Sequence, residues 1–207
     1  AHTGPTEISQ LCGAQLPNST CNGGPLPGIQ QFTYTGVITL APCNSWTISY
    51  TNIYRNNAII NLQNPGTQRT YIRAVVNTLV NPCNDSPQFT NTAIPYVCMG
   101  YPITYSFGAW DPEGDSLSYE LINAMGLNGN PIPYVNPYTF SDPIPGITLN
   151  PTTGEVNFTL NLQGNWVVVV RVNHWVNGVL GGSVMRDMQF VAYPCANDPP
   201  DAATRFN

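Results

Sequence analysis

The chain contains the stretch Trp166-Val167-Val168-Val169-Val170-Arg171-Val172-Asn173-His174-Trp175, and Trp166 to Val170 is its longest apolar run. A continuous run of apolar, mostly β-branched residues is typical of a strand that is buried on both faces. The run is far too short to span a membrane, because a spanning helix needs about 20 apolar residues. The stretch therefore predicts a central strand with protein packed against each of its faces.

The composition of the chain favours many short strands. Its 207 residues are 42% hydrophobic, which is enough to build a core, and they include 20 Pro and 18 Gly, which interrupt regular structure. No segment carries a long run of good helix formers at helical spacing. The length suits one large or two small domains. We therefore expect an all-β protein.

Alternation of apolar and polar residues predicts the remaining strands. The turn Asn150-Pro151-Thr152-Thr153-Gly154 lies between two of them and is a hairpin signal. The predicted strands in the C-terminal part are residues 94–98, 102–109, 117–123, 139–140, 147–150, 155–159, 164–175 and 182–193. The predicted strands in the N-terminal part are residues 32–40, 46–54, 58–62 and 71–79.

A short segment that follows a predicted strand occurs twice. Pro82-Cys83-Asn84-Asp85-Ser86-Pro87 is matched by Pro194-Cys195-Ala196-Asn197-Asp198-Pro199. Asx residues cap turns and Pro ends strands, so each copy is typical of a hinge at the end of a domain. The repeat predicts tandem immunoglobulin-like β-sandwich domains at about residues 1–84 and 85–195, with residues 196–207 as a linker or assembly tail. Whether the first domain is complete stays open.

Six cysteines are dispersed along the chain, and none lies in a C-x-x-C pair. With only His2 and His174 as histidines, this spacing argues against a zinc site. An even number of dispersed cysteines favours disulfides and an oxidising compartment, although buried free thiols are the alternative. Six cysteines allow 15 connectivities. By their positions relative to the hinges, the expected pairs are Cys98–Cys195, Cys43–Cys83 and Cys12–Cys21.

Three carboxylates stand at alternate positions in one turn, at Asp111, Glu113 and Asp115. Only 8% of the residues are charged, so this density is unusual for the chain. Gly114 allows a tight turn between the acids, and Ca²⁺ prefers such oxygen ligands. The alternative interpretation is a solvated turn in which Asp and Gly only shape the backbone. The Gly position and the absence of a terminal Glu argue against an EF-hand loop.

A series of motifs follows in order along the chain: Gly36-Val37-Ile38-Thr39-Leu40, Cys43-Asn44-Ser45-Trp46, Arg55-Asn56, Ala74-Val75-Val76-Asn77, Asp85-Ser86-Pro87-Gln88-Phe89, the acidic turn within residues 109–119, and Val184-Met185-Arg186-Asp187-Met188-Gln189. This series is similar to the gliding-motility-associated adhesins, which are large secreted surface proteins of gliding Bacteroidota. Those proteins are often built from PKD-like and cadherin-like repeats. The resemblance extends over about residues 32–199.

The resemblance implies a protein that is exported, displayed outside the cell and without catalytic residues. In cadherin-like repeats, calcium ligands come from a hinge, an acidic turn and a neighbouring strand. The resemblance therefore adds Asp85 and Asp187 to the expected calcium ligands of the acidic turn, with Arg186 as a charged partner of the cluster. The alternative for Arg186 and Asp187 is an exposed ion pair. Expected partners are other domains or copies of the same protein.

Other functions are weighed against this structural role. A net charge of −5 argues against nucleic acid, whose phosphates need clustered positive charge. His174 lies in a strand pattern with no nucleophile motif, so we expect a structural histidine and no enzyme. One alternative is a filament subunit that donates a terminal strand from residues 1–31 or 196–207. Another is a carbohydrate-binding module whose partners are surface glycans and whose exposed rings are Trp46, Trp110, Trp166 and Trp175. The alternative for these rings is a place in the core of the sandwich.

Overall fold

The computed structural model describes residues 1–93 and 96–195 of the chain. Strands make up 44% of the described residues and helix 8%, which confirms the all-β prediction. The chain divides into two compact units, an N-terminal unit at Ala1–Ala41 and a second unit at Pro42–Asn207, called here the sandwich unit. Within the described residues, no helix is long and apolar enough to cross a membrane.

The described residues form thirteen strands and four short 3₁₀ helices. The strands are β1 (His2–Glu7), β2 (Gln30–Tyr34), β3 (Trp46–Asn52), β4 (Thr70–Val76), β5 (Gln88–Phe89), β6 (Tyr96–Cys98), β7 (Pro102–Ser106), β8 (Ala109–Trp110), β9 (Ser116–Leu121), β10 (Thr148–Leu149), β11 (Glu155–Thr159), β12 (Gly164–Val176) and β13 (Val179–Tyr193). The 3₁₀ helices are Gly13–Asn18, Thr20–Asn22, Pro65–Thr67 and Leu127–Gly129.

The N-terminal unit is a two-stranded antiparallel hairpin with two 3₁₀ helices between its strands. The register pairs His2 with Tyr34 and Glu7 with Gln30. In this unit the side chain of Ser19 is fully buried, whereas Phe32 and Tyr34 on β2 are 45% and 61% exposed. A two-stranded hairpin has too little surface to form a hydrophobic core by itself. The N-terminal unit therefore has no apolar core of the kind that the sandwich unit has.

The sandwich unit is built around β12. This strand lies in a six-stranded sheet with the order β3-β4-β13-β12-β9, in which β6 joins β13 in parallel. Along β12, Val167, Val168, Val169 and Val170 are at most 1% exposed. Successive strand residues point to opposite faces of a sheet. The predicted burial of this run on both faces is therefore confirmed.

One face of this sheet packs against a second sheet, whose order is β10-β11-β7. Val168 and Val170 point into this core, where β11 contributes Val156 and Phe158. Phe190 on β13 is fully buried, with its ring centroid 4.9 Å from that of Phe158. Two sheets enclosing one core give a β-sandwich-like fold.

The opposite face is covered by irregular segments rather than by a sheet. Val167 and Val169 pack there against Ile59 and Leu62. The fully buried side chain of Asn61 makes the two hydrogen bonds that a neighbouring strand would make. It donates to the carbonyl of Val167 at 2.9 Å and accepts from the N–H of Val167 at 3.0 Å. β9 pairs with β12 only from Val170 to Trp175, so Asn61 satisfies the backbone groups of Val167 where no neighbouring strand does.

The structure divides the chain at residue 41, and not at the predicted boundary at residue 84. The reason is that β3 and β4 belong to the large sheet: Val76 on β4 pairs with Gly182 on β13. The part of the predicted first domain that follows residue 41 therefore completes the sheet of the predicted second domain. Residues 196–207, predicted as a tail, lie outside the described residues.

Several predicted strands differ in extent from the observed ones. The predicted strand at 32–40 ends at Tyr34, and residues 58–62 are irregular although Ile59 forms a bridge with Asn165. Residues 139–140 form no strand. The hairpin at Asn150–Gly154 is observed, with Leu149 paired to Val156 and Gly154 at φ +72°. Of the predicted strand at 94–98, residues 94 and 95 lie outside the described part.

We expect Phe190→Ala to lower the free energy of unfolding by about 3–5 kcal/mol, because it leaves a cavity between the two sheets. Urea unfolding measures this change. Val179→Ala is the control, since Val179 is 54% exposed and its truncation should cost less than about 0.5 kcal/mol. A loss below about 1 kcal/mol for Phe190→Ala would contradict the described core.

Candidate functional site

The acidic turn is held by two oxygens of Asp111, its backbone carbonyl and its side-chain Oδ1. The carbonyl of Asp111 accepts from the N–H of Gly114 at 3.1 Å, and Gly114 adopts φ +79°. The Oδ1 atom of Asp111 accepts from the N–H groups of Glu113 and Asp115, each at 3.1 Å. This is Asx-turn geometry, so part of the acidic pattern serves the backbone, as the alternative interpretation expected.

The second oxygens of two of these acids have no such role. Asp111 is only 8% exposed. The Oδ2 atoms of Asp111 and Asp115 are both buried and have no hydrogen-bond partner among the described residues. Burying a carboxylate oxygen without a partner is costly, and two on one turn also repel each other. The turn therefore has unmet demand for positive charge or for hydrogen-bond donors.

The structure brings Asp85 to the same turn through its backbone. The N–H of Asp85 donates to Oε1 of Glu113 at 3.2 Å, and the Asp85 side chain is exposed. Asn84 holds this connection from the other side, because its Nδ2 donates to the carbonyl of Asp85 at 2.9 Å and lies 3.1 Å from Nε2 of His174. His174 is 1% exposed. His174 therefore holds Asn84, and through Asn84 the segment whose Asp85 N–H reaches Glu113 of the acidic turn.

Asp187 is not brought to the acidic turn, which corrects that expectation. Its carboxylate forms a buried, bidentate ion pair with Arg55, including a 3.0 Å contact from Nη1 to Oδ1. The two side chains are 3% and 6% exposed. Burial raises the pKa of the neighbouring Tyr134 to about 12, so this phenol stays neutral and adds no charge to the pair.

The register of β12 explains why Asp187 is distant from the turn. Asp187 pairs with Val169, whereas Ser116, just after the turn, pairs with Trp175. Val169 and Trp175 are six positions apart on β12, which corresponds to about 20 Å at about 3.3 Å per residue. Asp187 therefore stabilises the irregular face of the sheet.

Arg186 does not pair with the acidic cluster either. Its guanidinium carbon lies 4.1 Å from the ring centroid of Phe89, and its Nη1 donates to the carbonyl of Asn91 at 2.9 Å. Stacking on an aromatic face is a favourable environment for a guanidinium. Arg186 therefore connects β13 with the residues around β5, and it leaves the acidic turn without a cation from the described residues.

A search of the described residues finds no group of three or more His, Cys, Asp or Glu side chains arranged for a metal ion. The turn does supply two orphan carboxylate oxygens close in sequence, from Asp111 and Asp115. The Glu113 carboxylate shares its Oε1 with the Asp85 backbone. Any cation held here would complete its coordination with backbone carbonyls or water, as Ca²⁺ commonly does.

The predicted disulfide Cys98–Cys195 is confirmed, with its Cα atoms 5.4 Å apart. It joins β6 to the end of β13, where Cys98 pairs with Tyr193 in the parallel register. The expectation that this bond would tie an early strand of the sandwich to its last strand is therefore met.

The other four cysteines are free thiols, so the predicted pairs Cys43–Cys83 and Cys12–Cys21 are not formed. The backbone pairing next to β3 and β4 explains why Cys43 and Cys83 are not bonded to each other. The carbonyl of Cys43 accepts from the N–H of Thr78 at 3.0 Å, five positions before Cys83. Cys83 lies beyond the end of this pairing, in an exposed turn.

The tryptophans do not form an exposed coplanar platform for a sugar. Trp166 is 3% exposed, and Trp110, at 50%, is the one that is largely exposed. The indole N–H of Trp175 donates to Oγ of Ser118 at 2.9 Å. These rings therefore serve mainly the packing of the sheets, which was the alternative interpretation.

Sequence reasoning missed two buried polar elements, the Arg55–Asp187 ion pair and Asn61. Both join segments that are more than 100 positions apart, since the ion pair has a separation of 132 and the Asn61–Val167 contacts one of 106. An isolated Arg or Asn in a turn-rich region carries no local signal of such a contact.

We expect Asp187→Ala to lower the free energy of unfolding by about 3–5 kcal/mol, because it leaves the Arg55 charge buried and unpaired. Glu120→Ala is the matched control: the Arg171–Glu120 pair is 34% and 42% exposed in its side chains, and such pairs contribute at most about 1 kcal/mol. Chemical denaturation at neutral pH compares the two variants. Equal losses would contradict the structural role assigned to Asp187.

Comparison with known proteins adds no family assignment. No protein-family model matches the chain, and no curated protein matches it significantly. A function for this chain therefore has to be argued from the chemistry of its own residues.

Proposed function

We propose that this chain is a non-catalytic, extracellular structural or adhesive module of a surface protein. In this proposal, residues 42–195 form one immunoglobulin-like sandwich, and further sandwiches of the same kind would provide the tandem array. Three features support it: a two-sheet core, a disulfide at the end of the last strand, and an acidic turn with unmet demand for a cation.

The observation that carries the proposal is the pair of buried Oδ2 atoms of Asp111 and Asp115. Water and hydrogen-bond donors need about 2.7–3.0 Å to a carboxylate oxygen, whereas Ca²⁺ binds oxygen at about 2.3–2.6 Å. A bound Ca²⁺ would compensate the charge of both carboxylates at once, which a neutral hydrogen-bond donor cannot do. We propose Asp111, Glu113 and Asp115 as ligands of Ca²⁺, with Asp85 at the rim of the site.

A cation at this position would act as a brace. The segment with Asn84 and Asp85 connects β4 to β5, and the acidic turn connects β8 to β9. Their direct polar contact is the bond from Asp85 to Glu113 at 3.2 Å. Ca²⁺ would neutralise the repulsion among the carboxylates and join the two connections. The stiffened element is then a corner of the sandwich unit.

The disulfide supports an extracellular location in this proposal. Disulfides persist in oxidising compartments, and Cys98–Cys195 closes most of the sandwich unit into one covalent loop. The low content of charged residues and the absence of Lys are compatible with a module that makes few electrostatic contacts. The role proposed for the module is mechanical support or adhesion.

We expect Ca²⁺ at about 100 times its dissociation constant to stabilise the protein by about 2.7 kcal/mol. For a unit of this size that corresponds to a rise in melting temperature of about 5–10 °C. Asp111→Asn and Asp115→Asn should abolish the rise, because Asn keeps the Oδ1 acceptor of the turn and loses the charge. Differential scanning calorimetry with Ca²⁺ and with EGTA measures the effect.

The control variant is Glu155→Gln, which removes an exposed carboxylate on β11 and should keep the full calcium effect. If the parent protein melts at the same temperature with Ca²⁺ and with EGTA, the proposed calcium site is wrong.

A second candidate function, a self-assembling filament subunit, is favoured by β3. This strand is the edge of the large sheet, and its seven residues include no charged residue and no Pro. Natural edge strands usually carry a charged residue or a Pro, because these residues prevent pairing with the strands of other chains. Beside β3 lies a hollow of about 300 Å³, lined by Ile48, Ile72, Ala74, Val184 and Met185 among others.

The same chain has a segment suited to such an edge. Residues 36–40, Gly-Val-Ile-Thr-Leu, form no strand, and Val37 and Ile38 are 100% and 61% exposed. In this second candidate function, residues 36–40 of one copy add to β3 of another copy, since β-branched residues fit a pleated sheet. This donor segment differs from residues 1–31, which contain the hairpin, and from residues 196–207, which lie outside the described part.

If this function is correct, the purified chain forms oligomers or fibres that grow with concentration, and Ile48→Lys reduces them at least tenfold. The introduced charge would lie at the edge of β3. Ile53→Lys, at a residue 64% exposed just beyond β3, is the control and should leave assembly unchanged. Light scattering after size exclusion and electron microscopy report the result. A parent protein that stays monomeric up to high concentration excludes this function.

A further inference from the structure

Two neighbouring hollows lie beside the second sheet of the sandwich unit. The smaller has a volume of about 160 Å³ and the larger about 340 Å³. They share Pro145, Thr159 and Asn161 in their linings, so they lie side by side, and the two together are called here the groove. The combined size is within the usual range of small-molecule sites, about 300–1,000 Å³.

The groove is polar but carries no charge. No Asp, Glu, Lys, Arg or His lines either hollow among the described residues. The polar groups are hydroxyls and amides, from Thr148, Asn157, Thr159 and Asn161. An anionic ligand would find no counter-charge there, so its desolvation would not be compensated. The lining therefore selects for an uncharged ligand that offers many hydrogen bonds.

Part of this hydrogen-bonding capacity is unused within the described part of the chain. Asn157 is engaged, since its Oδ1 accepts from Oγ1 of Thr104 at 2.6 Å and its Nδ2 donates to Glu155 at 3.2 Å. Asn161 is exposed and makes no side-chain hydrogen bond to the described residues. An amide both donates and accepts, so Asn161 can bind two adjacent hydroxyl groups at once.

The smaller hollow adds an apolar side to the groove. Tyr138 packs edge-on against Trp166, with ring centroids 5.2 Å apart, and Leu162 is 56% exposed. The indole N–H of Trp166 is buried and has no hydrogen-bond partner among the described residues. A pyranose ring presents C–H groups on its faces and hydroxyls around its edge. It therefore matches a hollow with apolar walls and neutral polar groups at the rim.

We propose that this groove binds a neutral saccharide, with one sugar ring in the smaller hollow and the next residue of the glycan in the larger one. Asn161 and Thr159, at the junction of the hollows, bind hydroxyls of both rings, and Leu162 and Tyr138 pack against a ring face. A saccharide would be the ligand of the adhesive module, so this proposal rests on the adhesive function proposed above.

The experiment titrates the full chain with maltotetraose, cellotetraose, mannotetraose and the anionic tetragalacturonate, by calorimetry and with parallel samples in Ca²⁺ and EGTA. We expect at least one neutral tetrasaccharide to bind and tetragalacturonate not to bind. Asn161→Ala should weaken binding about tenfold or more, since hydrogen bonds to the hydroxyls are lost. Asn130→Ala, at an exposed residue outside the groove, is the matched control and should bind like the parent protein.

Leu162→Ala is a second test variant, because an exposed side chain can be truncated without loss of folding, and it should also weaken binding. The proposal is overturned if none of the neutral saccharides binds, if tetragalacturonate binds equally well, or if Asn161→Ala and Leu162→Ala bind like the parent. Saccharide binding that is the same in Ca²⁺ and in EGTA supports the groove whether or not the calcium site exists. A failure of the groove can therefore be distinguished from a failure of the proposed calcium site.

Discussion

The burial of β12 on both faces is the constraint on which the rest of the sandwich unit depends. Alternate valines point to opposite sides of the sheet, so each side needs its own cover. One cover is a second sheet, which brings its own hydrogen bonds. The other is irregular, and its segment also uses Asn61 to satisfy the backbone of Val167 beyond the end of β9. The long loops of this protein are therefore part of its core.

Few residues of this chain are charged, so the environments of its buried charges are informative. Asp187 and Arg55 neutralise each other within hydrogen-bond distance, and that pair needs no ligand. Asp111 and Asp115 lie in a turn that satisfies only one carboxylate oxygen of Asp111, and the Oδ2 atom of each acid has no partner among the described residues. The contrast between a satisfied and an unsatisfied acid is a better guide to a cation site than the number of acids.

Features with a local signature could be predicted from the sequence. The buried run in β12, the hairpin at Asn150–Gly154 and the shape of the acidic turn depend on neighbouring residues, and Cys98–Cys195 was accessible because a repeated motif marked one end. The domain boundary and the partner of Asp187 depend on contacts between distant segments, such as Val76 with Gly182. The motif around Cys83 resembles that around Cys195, but Cys83 lacks a parallel strand beside it. The similarity of the two motifs therefore did not predict a disulfide at Cys83.

The disulfide has a consequence for how tension passes through the chain. Cys98 and Cys195 are 97 positions apart, and seven strands, β7 to β13, begin and end between them. A pull on the chain before Cys98 and after Cys195 is transmitted through the sulfur–sulfur bond, and the intervening segment carries no load along its backbone. Stretching can then extract β3 and β4 from the edge of the sheet, while the two-sheet core stays closed. Reduction of one bond would place the whole core in the path of the force.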